Sequence, residues 1–442
     1  MKKVLFGMFS LFVISSCESG KKTLVIDPIV MHNTMQQITD VIVHDIFSPP
    51  VASRIYAYAS IASYEVMAQN DPQYVSLAGQ LKGLTAVPKP GQEISHDLAA
   101  IQAAITVGTQ FIFSEEKMEV FKEELYLELK NGIDKSFFEA SIAYGDQVAQ
   151  HIIDWSSGDN YNQTRTFQKF SVRDEEGRWQ PTPPGYMEAI EPSWNKIRTF
   201  AIESADQFTP ILPTPFDMTK GSQFYKELVE VYEISQNLTE EQNEIASFWD
   251  CNPYVLNQTG HVMIAAKKVT PGGHWIGIVK IAAQKAKADL AKSTHAYALT
   301  SIALSDAFIS CWDEKYRSNL IRPETLINQY IDENWLPKLQ TPPFPEYTSG
   351  HSVISNAAAI VLTSIFGEGF SFHDDSEEKY GLPPRDFTSF IQASEEAAIS
   401  RIYGGIHYRP AVENGVTQGR ALGNYVVDKI KMTNTELAVN EK

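Results

Sequence analysis

Thr348-Ser349-Gly350-His351-Ser352-Val353-Ile354, running on to Ala357-Ala358-Ala359, is the stretch from which the chain is best read. Its apolar, alanine-rich body favours a helix. Ser349 stands where an N-cap stands, because its hydroxyl can accept from an amide of the first turn. A helix N-terminus presents unpaired amides and the positive end of the helix dipole, so it attracts anions. Gly350 removes the Cβ that would keep an anion away from the backbone. His351 then stands where an acid or base would act. Read alone, the same stretch is an ordinary capped helix with a partly exposed histidine.

Helical patterning extends outward in both directions. Apolar residues recur at i, i+3, i+4 and i+7 over 28–46, 51–69, 96–113, 116–132 and 136–155. Pro49-Pro50 and Ser156-Ser157-Gly158-Asp159 read as breaks. Thr239-Glu240-Glu241-Gln242 is a capping-box pattern and predicts a helix to Asp250. Residues 275–315, with room for one break, and 349–366, 385–400 and 410–432 complete the set. Residues 156–225, rich in Pro, Gly, Trp, Tyr and Thr, read as a long ordered loop region. No stretch alternates convincingly as a strand, and no short-period repeat is present. The expected fold class is all-α, a helical bundle. The expected organisation is a signal peptide (1–16), a lipidated tether (17–24), an N-terminal helical region (25–235) containing the long loop, and a C-terminal helical region (236–435).

The 442 residues carry a formal charge of −17, which argues against broad binding to nucleic acid or acidic lipid. An anion site in such a chain must be built locally. Met1-Lys2-Lys3, the apolar run Val4 to Ile14 and Ile14-Ser15-Ser16-Cys17 resemble a bacterial export signal ending in a lipobox, which places a lipid on Cys17. An ordinary secretory signal or a short membrane anchor is the plainer alternative. The expected product is an extracytoplasmic lipoprotein, tethered to a membrane by its lipid alone. Cys251 and Cys311 either pair there or stay as buried thiols.

Two further clusters supply cations. Lys315 and Arg322, seven apart, would share one face of a helix that Pro323 ends. Ser400-Arg401 closes a helical stretch, and Tyr403-Gly404-Gly405 lets the chain turn before His407, so a guanidinium and an imidazole can converge. Each cluster alone reads as solvated cations or a turn between core helices.

The ordered set, K-x6-R-P, then S-G-H, then S-R-x5-H, resembles the signature of the superfamily that joins vanadium-dependent haloperoxidases with type 2 phosphatidic acid phosphatases and bacterial acid phosphatases. The motifs span residues 315–407. The resemblance implies a helical bundle of that type, and roles for its residues. Lys315, Arg322 and Arg401 would bind oxygens of vanadate or phosphate, with Ser349 and the Gly350 amide adding hydrogen bonds. His407 would be the axial vanadium ligand, or the phosphorylated nucleophile of a phosphatase, and His351 its acid–base partner. Two positions depart from the pattern. Thr348 replaces a proline, and Ala411 replaces the aspartate that orients the histidine, with Glu413 the nearby substitute. Asp306-Ala307 and Trp312-Asp313-Glu314-Lys315 resemble chloroperoxidase-type members, and Gly273-His274-Trp275 resembles bacterial haloperoxidase-like proteins; His274 is assigned no role. Three functions follow: a vanadate-dependent haloperoxidase using hydrogen peroxide and halide, a phosphomonoesterase, or an inactive oxyanion-binding surface lipoprotein.

Overall fold

Serine, threonine and aspartate side chains set where most of the helices begin. Ser48, Ser95, Asp134, Ser222, Thr239, Thr270, Asp289, Ser349 and Ser389 each accept a hydrogen bond from a first-turn amide. At Thr239 the reciprocal bond from Gln242 completes the capping box. The structure, a computed structural model, describes residues 25–440 apart from Gly132, Gly260, His261 and Ala266. The export signal, Cys17 and the tether lie outside the described residues.

The chain is essentially all-α. The first helices are α1 (Ile29–Asp45), α2 (Pro49–Ala68), α3 (His96–Gln110), α4 (Glu115–Leu129) and α5 (Lys135–Ser156). A long irregular stretch holds only the single turn α6 (Tyr161–Thr164) and a 3-10 turn, Trp194–Lys196. Then come α7 (Gln223–Gln236), α8 (Glu240–Phe248), α9 (Pro271–Lys285), α10 (Leu290–Ser318) and α11 (Pro323–Tyr330). The last four are α12 (Gly350–Phe366), α13 (Phe390–Tyr403), α14 (Arg409–Lys429) and α15 (Asn434–Asn440). Two small antiparallel hairpins interrupt the helices: β1 (Leu256–Thr259) with β2 (Val262–Ala265), and β3 (Phe372–Asp374) with β4 (Arg385–Phe387). No helix of the described residues is long and apolar enough to cross a membrane.

α10, about 43 Å long, is the shared spine. α2 packs on it from the N-terminal half and in turn carries α3, which carries α5. α12 packs on it from the other side, wrapped by α9, α13 and α14. One continuous apolar core runs from Ile26 to Met432. Val353, Ile354, Val361 and Leu362 of α12 are fully buried in it, each worth roughly 1.5–3 kcal/mol.

Three expectations need correction. Lys315 and Arg322 do not share a helix. Asn319 takes a left-handed conformation (φ 49°) and ends α10, so Pro323 opens α11 and Arg322 is the extended residue before it. The stretch 385–400 starts as strand β4, and its helix begins only at Phe390. α7 and α11 went unrecognised in the sequence. Cys251 and Cys311 are both free, buried thiols.

Two devices fix the parts that matter for the site. Asp306, fully buried on α10, accepts from the amides of Phe200, Ala201 and Ile202 (2.7, 2.7 and 3.0 Å), tying the long loop to the spine. Gly415, Gly419 and Gly423 form a stripe on α14 that faces α12. A Cβ on Gly419 would stand 2.2 Å from the Val353 carbonyl oxygen, so the two backbones are in contact there. Gly419→Ala should therefore force α14 off α12 and lower stability by about 3 kcal/mol, read as a lower urea or thermal midpoint. An unchanged midpoint would contradict this packing.

Candidate active site

The elements converge at the N-terminus of α12. Lys315 comes from the last turn of α10, Arg322 from the start of α11, Ser349 and His351 from the start of α12, and Arg401 from the last turn of α13. His407 follows the Gly404-Gly405 turn; Gly405 sits at φ 74°, where an L side chain is strained, and a Cβ there would press on Trp335 and Pro337. Lys315, Arg322 and Ser349 are fully buried, and Arg401 and His407 nearly so. The groups whose charge acts on His407 are Arg322, Lys315, Arg401 and His351, so the three sequence clusters meet.

Arg322 donates from Nε to the Phe344 carbonyl (2.9 Å) and from Nη1 to the Ile406 carbonyl (2.8 Å). Nη1 also lies 3.2 Å from His407 Nε2, while Nη2 is buried with no partner. Lys315 Nζ donates to the carbonyls of Pro345, Glu346 and Thr348 at 3.1, 3.0 and 2.6 Å. All three of its protons are engaged in bracing the segment before α12. The Phe344 ring lies 5.1 Å from Lys315 Nζ and 5.2 Å from the Arg322 guanidinium carbon, where its π-face favours cations. Arg401 donates from Nε to Ser400 Oγ (2.9 Å) and from Nη2 to the Trp249 carbonyl (2.6 Å).

Ser349 caps α12, its hydroxyl 3.4 Å from the Ser352 amide, and its own amide donates to the Ala411 carbonyl (3.0 Å). The amides of Gly350 and His351 open α12 and have no acceptor within that helix. His351 is half-buried; its ring hydrogen-bonds the backbone of Trp249, and its Nε2 is inaccessible and unpartnered.

The group that orients His407 is Glu346. Its Oε1 lies 2.7 Å from His407 Nδ1 and 2.9 Å from the Tyr408 amide. A carboxylate can only accept, so the proton sits on Nδ1 and the Nε2 lone pair faces the cations. Glu413, the substitute expected from spacing, does not reach the histidine; its carboxylate is exposed and lies 3.9 Å from Arg409. Sequence reading missed Glu346 because it stands 61 residues from its partner. It missed Trp249 for the same reason, since only a backbone carbonyl is used.

Burial drives every titration in the pocket. It lowers Lys315 to about 8 and Arg322 to about 10, and lowers Arg401 as well. It holds His407 well below the usual histidine range, helped by Arg322, Lys315 and Arg401. His351 is depressed likewise, by burial and then Arg401. Glu346 is pushed up to about 7 by burial, against the pull of Arg322 and Lys315. The arrangement can hold a polyoxyanion against several donors with a neutral imidazole nitrogen facing it.

A family profile described as the VCPO second helical-bundle domain matches residues 295–436. The chain resembles a solved structure described as the first bacterial vanadium-dependent iodoperoxidase at 54% identity and a TM-score of 0.89, covering 94% of this chain and 99% of that one. Holo and apo structures of a bacterial vanadium-dependent chloroperoxidase align at 15% and 16% identity, with TM-scores of 0.66 and 0.65. They cover 86% of this chain and 92% and 93% of theirs, and share the fold. No curated protein matches.

Because its folded pKa is depressed, His407 should stay neutral from pH 8 down through pH 6, and at pH 8, where Glu346 is ionised, it should be the Nδ1–H tautomer. Imidazole nitrogen shifts of labelled protein would show this. A His407 that titrates near 6.5 would contradict it.

Proposed function

The chain belongs to the bacterial vanadium-dependent haloperoxidase family, and on that premise we propose that it oxidises a halide, iodide foremost, with hydrogen peroxide at a vanadate held in this pocket. The observation that carries the proposal is the buried, unpaired Nη2 of Arg322 beside the Nε2 lone pair of His407. A buried donor without a partner costs about 1–3 kcal/mol, and an oxyanion at that point would relieve it. The donor set fits vanadate. His407 Nε2 would be its ligand, and Arg322, Arg401, Ser349 and the Gly350 amide would meet its oxygens. When bound, vanadate supplies the electrophilic centre at which hydrogen peroxide becomes able to oxidise halide.

The chain's own residues then have separable tasks. Glu346 fixes the tautomer and direction of His407, as carboxylates do for metal-bound histidines. Lys315 lends charge while holding the carbonyls of Pro345, Glu346 and Thr348. His351, neutral at working pH, is available to accept a proton at Nε2 and return it. The donors act by fixed position rather than by rearrangement, which is how preorganised charge stabilises a transition state. A lipid on Cys17 would hold this activity outside the cytoplasm. The same pocket would also take phosphate, with His407 as nucleophile, so the assay carries a phosphatase arm.

Vanadate-loaded protein given peroxide and iodide or bromide should oxidise halide, iodide the faster. His407→Ala should abolish the activity, and Glu346→Gln should reduce it ~10–100-fold. Release of phosphate from an aryl phosphate by vanadate-free protein, with no halide oxidation, would replace this reading by the phosphatase. Vanadate affinity should fall as pH rises through about 8, because Lys315 loses its proton there. Affinity independent of pH between 7 and 9 would remove Lys315 from the site.

A further inference from the structure

We infer that Cys251, His274 and Glu377 form a second metal site, built for one zinc-like divalent cation and separate from the oxyanion pocket. The three residues come from separate parts of the fold. Cys251 follows α8, His274 lies in the first turn of α9, and Glu377 follows strand β3. All are buried, and their ligating atoms lie within 4.8 Å of one another.

The spacing suits a tetrahedral ion. Cys251 Sγ lies 3.5 Å from His274 Nδ1, and Nδ1 lies 3.3 Å from Glu377 Oε1. A tetrahedral zinc with bonds of about 2.3 Å to sulfur and 2.0 Å to nitrogen and oxygen has edges of about 3.5 and 3.3 Å. Without an ion the contacts are frustrated. Nδ1 can offer at most one hydrogen to two acceptors, and Glu377 Oε1 receives no hydrogen bond although the residue is only 4% exposed. A cation at the centre would satisfy all three atoms together.

The surroundings support the same geometry. His274 Nε2 lies 2.9 Å from Asp374 Oδ2. The other oxygen of Asp374 accepts from the amide (3.1 Å) and hydroxyl (2.6 Å) of Ser376. With a cation bound, this carboxylate–histidine pairing would keep the ring proton on Nε2 and present the Nδ1 lone pair to the ion. The two lysines whose charge acts on Glu377 are committed elsewhere, Lys268 to Asp250 and Lys379 to Asp40. A cavity of about 20 Å³ borders His274, Glu377 and Tyr380, and the Tyr380 hydroxyl is unpartnered. It has room for one water, which would complete four-coordination. On binding, the Cys251 thiol would release one proton to solvent and its thiolate would become a ligand of the ion.

The site also braces the oxyanion pocket from behind. The His274 ring stacks on Trp249, with centroids 4.5 Å apart. The Trp249 carbonyl is the acceptor of Arg401 Nη2, and the Trp249 backbone holds His351.

Full-length protein, stripped by chelator and titrated with cobalt(II), gives the test. One equivalent should bind, with a near-ultraviolet thiolate-to-cobalt band and the visible bands of a tetrahedral ion, and zinc should displace it. Cys251→Ser should remove the thiolate band, and Glu377→Gln should weaken cobalt binding at least tenfold while keeping it. Zinc should raise the thermal midpoint of the wild type in a saturable way, a reading that does not depend on either variant folding. No thiolate band with no zinc-dependent midpoint would overturn the proposal. So would a band that persists in Cys251→Ser, since the sulfur would then be another cysteine.

Discussion

Lys315, Arg322 and Arg401 are withdrawn from water, and none forms an ion pair with a carboxylate of the described residues. Burying a charge costs several kcal/mol unless something answers it. Here the answer is partial and made of dipoles: three carbonyls on Lys315, two on Arg322, one on Arg401. Among the described residues, the one carboxylate hydrogen-bonded to a side chain of the pocket, Glu346, is spent on His407 and the Tyr408 amide. The local field is therefore positive inside a chain whose formal charge is −17. Burial lowers the cations' own affinity for protons, and burial and the field together keep His407 neutral; the field favours a bound anion over an empty pocket.

Much of the architecture serves to hold that strained grouping. α10 carries Lys315 near one end and, nine residues earlier and on the opposite face, Asp306, which anchors the long loop. That loop in turn reaches the pocket wall: the Ile190 carbonyl accepts from Trp312 Nε1 and the Tyr316 hydroxyl. α14 lies against α12 at backbone contact, and the Ala411 carbonyl holds the Ser349 amide. Moving either helix would misalign the anion-facing end of α12, so packing and chemistry are one constraint there.

The fold was largely legible because it rests on local rules. The 3.6-residue periodicity of α1 to α5, the caps at Thr239 and Ser349, and the glycine turn before His407 each act over a few residues. The failures have physical reasons. Asn319 ends α10 by taking a left-handed conformation that most residues avoid, and spacing alone could not reveal it. Glu413 was favoured because it is near His407 in sequence, yet α14 directs it to solvent. Glu346 reaches the histidine only through the fold, although it stands five residues before His351. The Gly415, Gly419 and Gly423 stripe was readable as a close-packing face and went unread. His274, assigned no role from the sequence, acquires Cys251 and Glu377 as neighbours only through the fold.

The central claim is that the unpaired Arg322 nitrogen and the Glu346-oriented His407 nitrogen are two halves of one oxyanion site. A crystal structure of the protein soaked with orthovanadate tests it most directly. The account predicts vanadium bonded to His407 Nε2, a vanadate oxygen on Arg322 Nη2, and His407 Nδ1 still on Glu346. Vanadate bound away from His407, or an unoccupied pocket at saturating vanadate, would contradict it.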